Sequence, residues 1–194
     1  MYNFFAYISR MKYIDRWALM RNTRQEDLSE HSFDVAVISH ALAVIGNKRL
    51  GKNYDAQRCA LLGLYHDAPE IITGDMPTPV KYYSDEIRDA YKQVEKNASA
   101  RILSMLPDYM IPEYDSLFNK KDEDKELWVL VKAADKLSAL IKCIEEEKAG
   151  NNEFQLAKAS SEETLDLMNC EEAEIFIRDF LPGYSLTLDQ MNRN

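Results

Sequence analysis

At 194 residues the chain is long enough for one domain with a sizeable core, and 46% apolar residues let it fold without covalent staples. Its net charge of −9 weighs against holding duplex nucleic acid or another polymeric polyanion by general electrostatics. Cys59, Cys143 and Cys170 are odd in number and far apart, with no CxxC spacing. Neither a disulfide framework nor a thiolate zinc site is indicated, and each cysteine reads as a small core hydrophobe.

The first apolar run, Phe4 to Ile8, is followed at once by Arg10 and Lys12. It is too short for a leader or a membrane span, so a cytoplasmic location with no membrane partner is expected. Helical periodicity dominates the rest, and the six glycines and six prolines punctuate it. Ser29 is placed to cap a helix running to about Ile45, with Gly46-Asn47 as its stop. Asp55 is placed to cap a second helix that runs toward His66. Pro69 cannot continue that helix and starts a new turn near its first position. Gly74 to Pro79 holds enough breakers to be a loop. Asp85 to Met105 reads as an amphipathic helix, and Pro107 to Asp124 as a connecting segment. The charge run from Lys120 to Glu126 lacks the glycine and spacing of a calcium loop and reads as a solvated helix start. A long helix from Leu127 to Lys148, and two more near residues 153–168 and 171–180, complete an all-α chain read as a single domain over 1–194.

Three places in this pattern carry chemistry. On its helix His31 shares a face with Val35, Ile38, Leu42 and Ile45, so it points where a core stripe points. Taken alone, that describes a buried histidine bonded to backbone. His40 lies about half a turn away at ~100° per residue, and belongs to packing or to the surface. His66-Asp67 follows the apolar run Ala60 to Tyr65. A buried imidazole beside a buried carboxylate is costly unless positive charge sits between them, and a divalent ion supplies it. Asp135 shares a face with Trp128, Val131 and Ala139 and needs a partner, for which Lys132 and Lys136 are also available. Two imidazoles and two carboxylates without thiolate suit one divalent ion such as Co²⁺, Mn²⁺, Fe²⁺, Ni²⁺ or Zn²⁺.

His31, then His66-Asp67, then Asp135 resembles the H…HD…D signature of the HD-domain metal-dependent phosphohydrolases. The segments Arg16-Trp17-Ala18-Leu19-Met20-Arg21-Asn22, Ser29-Glu30-His31-Ser32, Tyr65 to Glu70 and Thr73 to Lys81 resemble the bacterial 5′-deoxynucleotidase family within it. The resemblance implies an all-helical HD-domain fold with a central metal. It implies hydrolysis of 2′-deoxyribonucleoside 5′-monophosphates, with Co²⁺ or Mn²⁺ favoured, by a homodimer. Carried onto this chain, it makes His31, His66, Asp67 and Asp135 the metal ligands, with His66 also touching substrate. Glu70 becomes the acid/base and Arg16 the residue that orients the phosphate. Trp17 crowds the sugar 2′ position, Asp75 holds the 3′-hydroxyl, and Thr78 lies in the same substrate loop. Alternatives of the same skeleton cleave cyclic nucleotides or alarmones, or bind metal without catalysis. The few basic residues near the motifs, Arg16, Arg21, Arg24 and Lys81, favour a monophosphate, and the complete ligand set with Glu70 favours an enzyme.

Overall fold

A computed structural model describes residues 1–81 and 83–192, with only the backbone described at Thr78. Eleven α-helices form among the described residues: α1 Phe4–Ile8, α2 Leu28–Arg49, α3 Ala56–Tyr65, α4 Glu70–Thr73, α5 Thr78–Lys81, α6 Asp85–Leu103, α7 Ile111–Phe118, α8 Lys125–Lys148, α9 Gln155–Met168, α10 Glu171–Asp179 and α11 Leu188–Met191. No strand forms among them; extended pairing is limited to one isolated bridge, Asp15 to Asp27.

Helices α2, α3 and α8 frame the core. Leu28 begins α2 because the Asp27 carboxylate accepts hydrogen bonds from the Ser29 and Glu30 amides, while the Glu30 carboxylate accepts one from the Asp27 amide. The cap is therefore Asp27 and not Ser29. Gly46 does not stop the helix either, because α2 runs on to Arg49. Gly46 serves packing: a Cβ there would lie 2.6 Å from the Tyr54 ring and 3.0 Å from a Glu172 oxygen. Gly63 plays the same part where α3 crosses α2, since its Cβ would lie 3.1 Å from the Ala36 Cα. Asp55 caps α3 as expected, accepting from the Arg58 amide.

Val35, Ile38 and Leu42 of α2 meet Cys59 and Leu62 of α3 and Leu130, Leu137 and Leu140 of α8, with Leu165 and Phe176 closing the cluster from α9 and α10. Burying each such side chain contributes roughly 1.5–3 kcal/mol. Although α2 has the length and apolar composition to cross a membrane, half of its most apolar stretch is buried inside the fold. A second cluster packs Phe4 against Ile102, Leu103 and Leu106, and a third joins Met11, Leu28 and Ala68. Cys59, Cys143 and Cys170 are free and buried, as expected.

Three further expectations need correction. The segment 107–124 contains α7, whose second residue is Pro112, a position where a missing amide hydrogen costs nothing. Thr78 and Pro79 belong to the short helix α5 and not to the preceding loop, for the same reason. The start of α8 is not wholly solvated: Asp124 is buried in a forked ion pair with Arg58.

Candidate metal centre and substrate loop

The first turn of α2 buries His31 completely, the turn after α3 carries His66-Asp67, and the middle of α8 presents Asp135. Their donor atoms all lie within 4.8 Å of one another. His31 Nε2 is 3.5 Å from Asp67 Oδ2 and 3.3 Å from Asp135 Oδ1, and His66 Nε2 is 2.9 Å from Asp67 Oδ2. His66 Nδ1 is 2.7 Å from the Gly63 carbonyl oxygen, an atom that only accepts, so Nδ1 carries the proton. With Nδ1 engaged in this way, Nε2 is the nitrogen that faces the carboxylates and is the one free to ligate an ion. His31 is held likewise, its Nδ1 being 3.1 Å from Ser138 Oγ, one turn beyond Asp135 on α8.

Both Nε2 atoms are buried and without a hydrogen-bond partner. Two unpartnered imidazole nitrogens facing two carboxylates are expensive as they stand and fit a divalent cation with nitrogen and oxygen donors. Asp135 also meets Lys136 Nζ at 3.2 Å through its other oxygen. His40 lies on the exposed side of α2, away from this cluster.

The surroundings divide the carboxyls. Burial works against ionised Asp67, but His66 and His31 beside it hold it well below the usual carboxylate range. Burial opposes ionised Asp135 too, and His31 and Lys136 bring it below that range. Glu70, buried at the start of α4, goes the other way: burial, with the charges of Asp67 and Asp75 added, pushes it up to about 9. Its Oε2 has no hydrogen-bond partner.

Arg16 and Trp17 approach from the irregular segment between α1 and α2. Arg16 Nη1 stands 3.9 Å from Asp67 Oδ2. Burial alone would lower Arg16, but Glu26, Asp135, Asp67 and Asp75 together keep it firmly charged. Trp17 sits at φ 58°, a left-handed conformation costing about 1–2 kcal/mol for a residue with a Cβ. Its indole N–H donates to Glu26 Oε2 at 2.8 Å, and its ring meets Phe154 edge-on at 5.3 Å. Asp75 follows Gly74, whose φ of 73° turns the chain, and its charge reaches both Arg16 and Glu70. The Thr78 side chain lies outside what the structure describes. Glu26, Ser138 and Phe154 are the participants that sequence reasoning missed. Ser138 alone left a signal, lying one turn from Asp135 on the same helix face.

Residues 3–184 match the model of the 5′-deoxynucleotidase YfbR-like family. The chain belongs to that family. As a YfbR-like protein it is 47% identical over 192 residues to the 5′-deoxynucleotidase YfbR of Salmonella typhi, covering 99% of this chain and 96% of the relative. It is equally identical, over the same coverage, to the 5′-deoxynucleotidase ECA3034 of Pectobacterium atrosepticum. Among solved structures, an HD-domain phosphohydrolase from Listeria innocua superposes with a TM-score of 0.79 at 22% identity, covering 98% of this chain and 92% of that one. The cyanophage S-2L HD phosphohydrolase DatZ, bound to dA and one catalytic Zn²⁺ ion, superposes with a TM-score of 0.66 at 19% identity, covering 93% and 95%. Both likenesses establish the HD fold for this YfbR-like chain.

Proposed function

We propose that this protein is a metal-dependent 5′-deoxynucleotidase, hydrolysing 2′-deoxyribonucleoside 5′-monophosphates to deoxynucleoside and phosphate. The observation that carries this reading is the convergence of four metal-type donors within 4.8 Å, with the Arg16 guanidinium beside them, in a chain of the YfbR-like family. His31, His66, Asp67 and Asp135 would hold one divalent ion; the nitrogen and oxygen donor set accepts Co²⁺, Mn²⁺, Zn²⁺, Ni²⁺ or Fe²⁺, and the family resemblance favours Co²⁺ or Mn²⁺. Such an ion supplies Lewis acidity to the phosphoryl group and a nucleophile from water near neutral pH.

The residues of this chain do the rest. Arg16 offers the outer nitrogens of its fork to the phosphate oxygens. Glu70, buried with one oxygen unpartnered and just past the dyad, carries the proton between water and the leaving 5′-oxygen. His66 lies against the bound phosphate as well as the ion. Trp17 is rigid and large enough to deny room to a 2′-hydroxyl, Asp75 receives the 3′-hydroxyl and would repel a 3′-phosphate, and Thr78, at the start of α5, is read as a further substrate residue.

The acidic chain supports a small nucleotide substrate over a nucleic-acid polymer, and we read it as one domain working in the cytoplasm. A homodimer is supported by the apolar face that α2 and α3, packed together, leave uncovered: Phe33, Val37, Val44, Leu61 and Leu64 are all exposed.

The test is phosphate release from matched deoxyribo- and ribonucleoside 5′-monophosphates after chelation and readdition of Co²⁺ or Mn²⁺. The expected outcome is metal-dependent turnover with at least ~10²-fold preference for the deoxy series. In Trp17→Ala the preference should shrink while bound metal stays. Equal rates on AMP and dAMP by the parent protein refute the selectivity and leave a broader phosphohydrolase.

A further inference from the structure

Arg16 and Trp17 are neighbours in sequence, and in an extended strand their side chains would leave the backbone on opposite sides. Here both end on the same atom. Glu26 Oε2 accepts from Arg16 Nε at 3.1 Å and from Trp17 Nε1 at 2.8 Å. The left-handed turn at Trp17 makes this possible, and it is fixed from outside: the Arg16 amide donates to the Glu26 carbonyl at 3.0 Å and the Leu28 amide to the Ile14 carbonyl at 2.9 Å. Glu26 is itself buried, as is Arg16. The carboxylate takes the inner nitrogen of the guanidinium and leaves the outer ones, one of which faces Asp67. It also uses the sole donor of the indole, so the ring cannot swing without breaking a charge-assisted bond.

We propose that Glu26 is a positioning residue that locks phosphate recognition and sugar discrimination into one unit: a single carboxylate sets both the angle of the Arg16 fork and the plane of the Trp17 ring. This rests on the roles given above to Arg16 and Trp17. Two independently held side chains could be perturbed one at a time, whereas a shared acceptor makes turnover and deoxy-over-ribo selectivity fall together.

The experiment uses full-length Glu26→Gln and Glu26→Asp, each with bound metal measured, and kcat and KM determined on dAMP and AMP. Glu26→Gln removes the charge, and Glu26→Asp keeps it but draws it back by one methylene. Both should lower kcat/KM on dAMP by about 10-fold or more and the dAMP-to-AMP ratio several-fold, with metal content unchanged. The ratio is taken on one preparation, so a misfolded fraction cancels in it. A second readout does not depend on substrate. In a Trp128→Phe background Trp17 is the only indole, and its quenching by acrylamide should rise on Glu26→Gln. If Glu26→Gln keeps the parent's selectivity ratio and the parent's quenching, the inference is overturned; so it is if Arg16-dependent turnover falls while the ratio and quenching stay fixed. A parent enzyme without deoxy preference, but with quenching that still rises in Glu26→Gln, counts against the proposed substrate and leaves the shared anchor in place.

Discussion

The metal centre and the Arg16–Trp17 segment meet at Asp67, yet they are built differently. The four donors stand on or beside α2, α3 and α8, whose apolar faces form the main core. The segment from Ile14 to Leu28 has no helix of its own beyond the start of α2 and is held by polar contacts. Thr23 donates to Glu146 through both its amide and its hydroxyl, Lys142 bonds the Arg24 carbonyl and Glu146, and Asn151 reaches Arg21 and Glu146. The metal-type donors are thus held by packing of apolar faces, and the segment that carries Arg16 and Trp17 by a buried polar network.

The largest expected effect breaks the packed half. Asp67→Ala or Asp135→Ala should abolish phosphatase activity and bound metal together, checked by turnover and metal analysis after stripping and reloading. Full activity in either variant would disprove the ligand assignment. Glu70→Ala should lower turnover by about 10²-fold or more with metal retained. If its metal content falls as far as in Asp67→Ala, Glu70 is a ligand instead. Ser138→Ala should weaken metal affinity by about 10- to 100-fold, because it frees the His31 ring, while leaving the dAMP-to-AMP ratio alone. Competition with a chelating dye reads the affinity.

The smallest effect probes the polar half. Burial opposes an ionised Glu146, but Lys142, Asn151 and Thr23 hold it down at about 2, against an ordinary 4.5. A depressed carboxyl stabilises the fold above its unfolded value and loses that contribution as pH falls through the folded one. Glu146→Gln should therefore cost about 1.5–3 kcal/mol in urea unfolding at pH 7, and the deficit should shrink steadily below pH ~4.5. A deficit independent of pH would mean that the charge is not what holds the segment.

What was legible in the sequence follows the same division. His31 and Asp135 stand out because a polar residue in an apolar helical stripe breaks a period, and the period survives folding. Asp55 was legible as a cap because capping is local. Glu26 was not, because its partners are ten and nine residues away across a segment with no period at all. Gly46 misled because glycine after an apolar run signals a stop, whereas here it makes room for Tyr54 and Glu172, a contact with no local trace. The short helices α5 and α7 hide because their prolines mark helix starts as readily as loops.

The three buried cysteines have a practical use. Burial pushes Cys59 up to about 12 and Cys143 and Cys170 up to about 11, so none offers a thiolate at neutral pH. Cys59 in α3 and Cys170 at the cap of α10 belong to one core cluster, and Cys143 is fully buried on α8, which packs into the same cluster. A thiol reagent therefore has nothing to attack until the helices that bury them open. The rate at which the native protein is labelled is a built-in clock for its opening, and ligand or metal that slows the labelling reports binding without any assay of turnover.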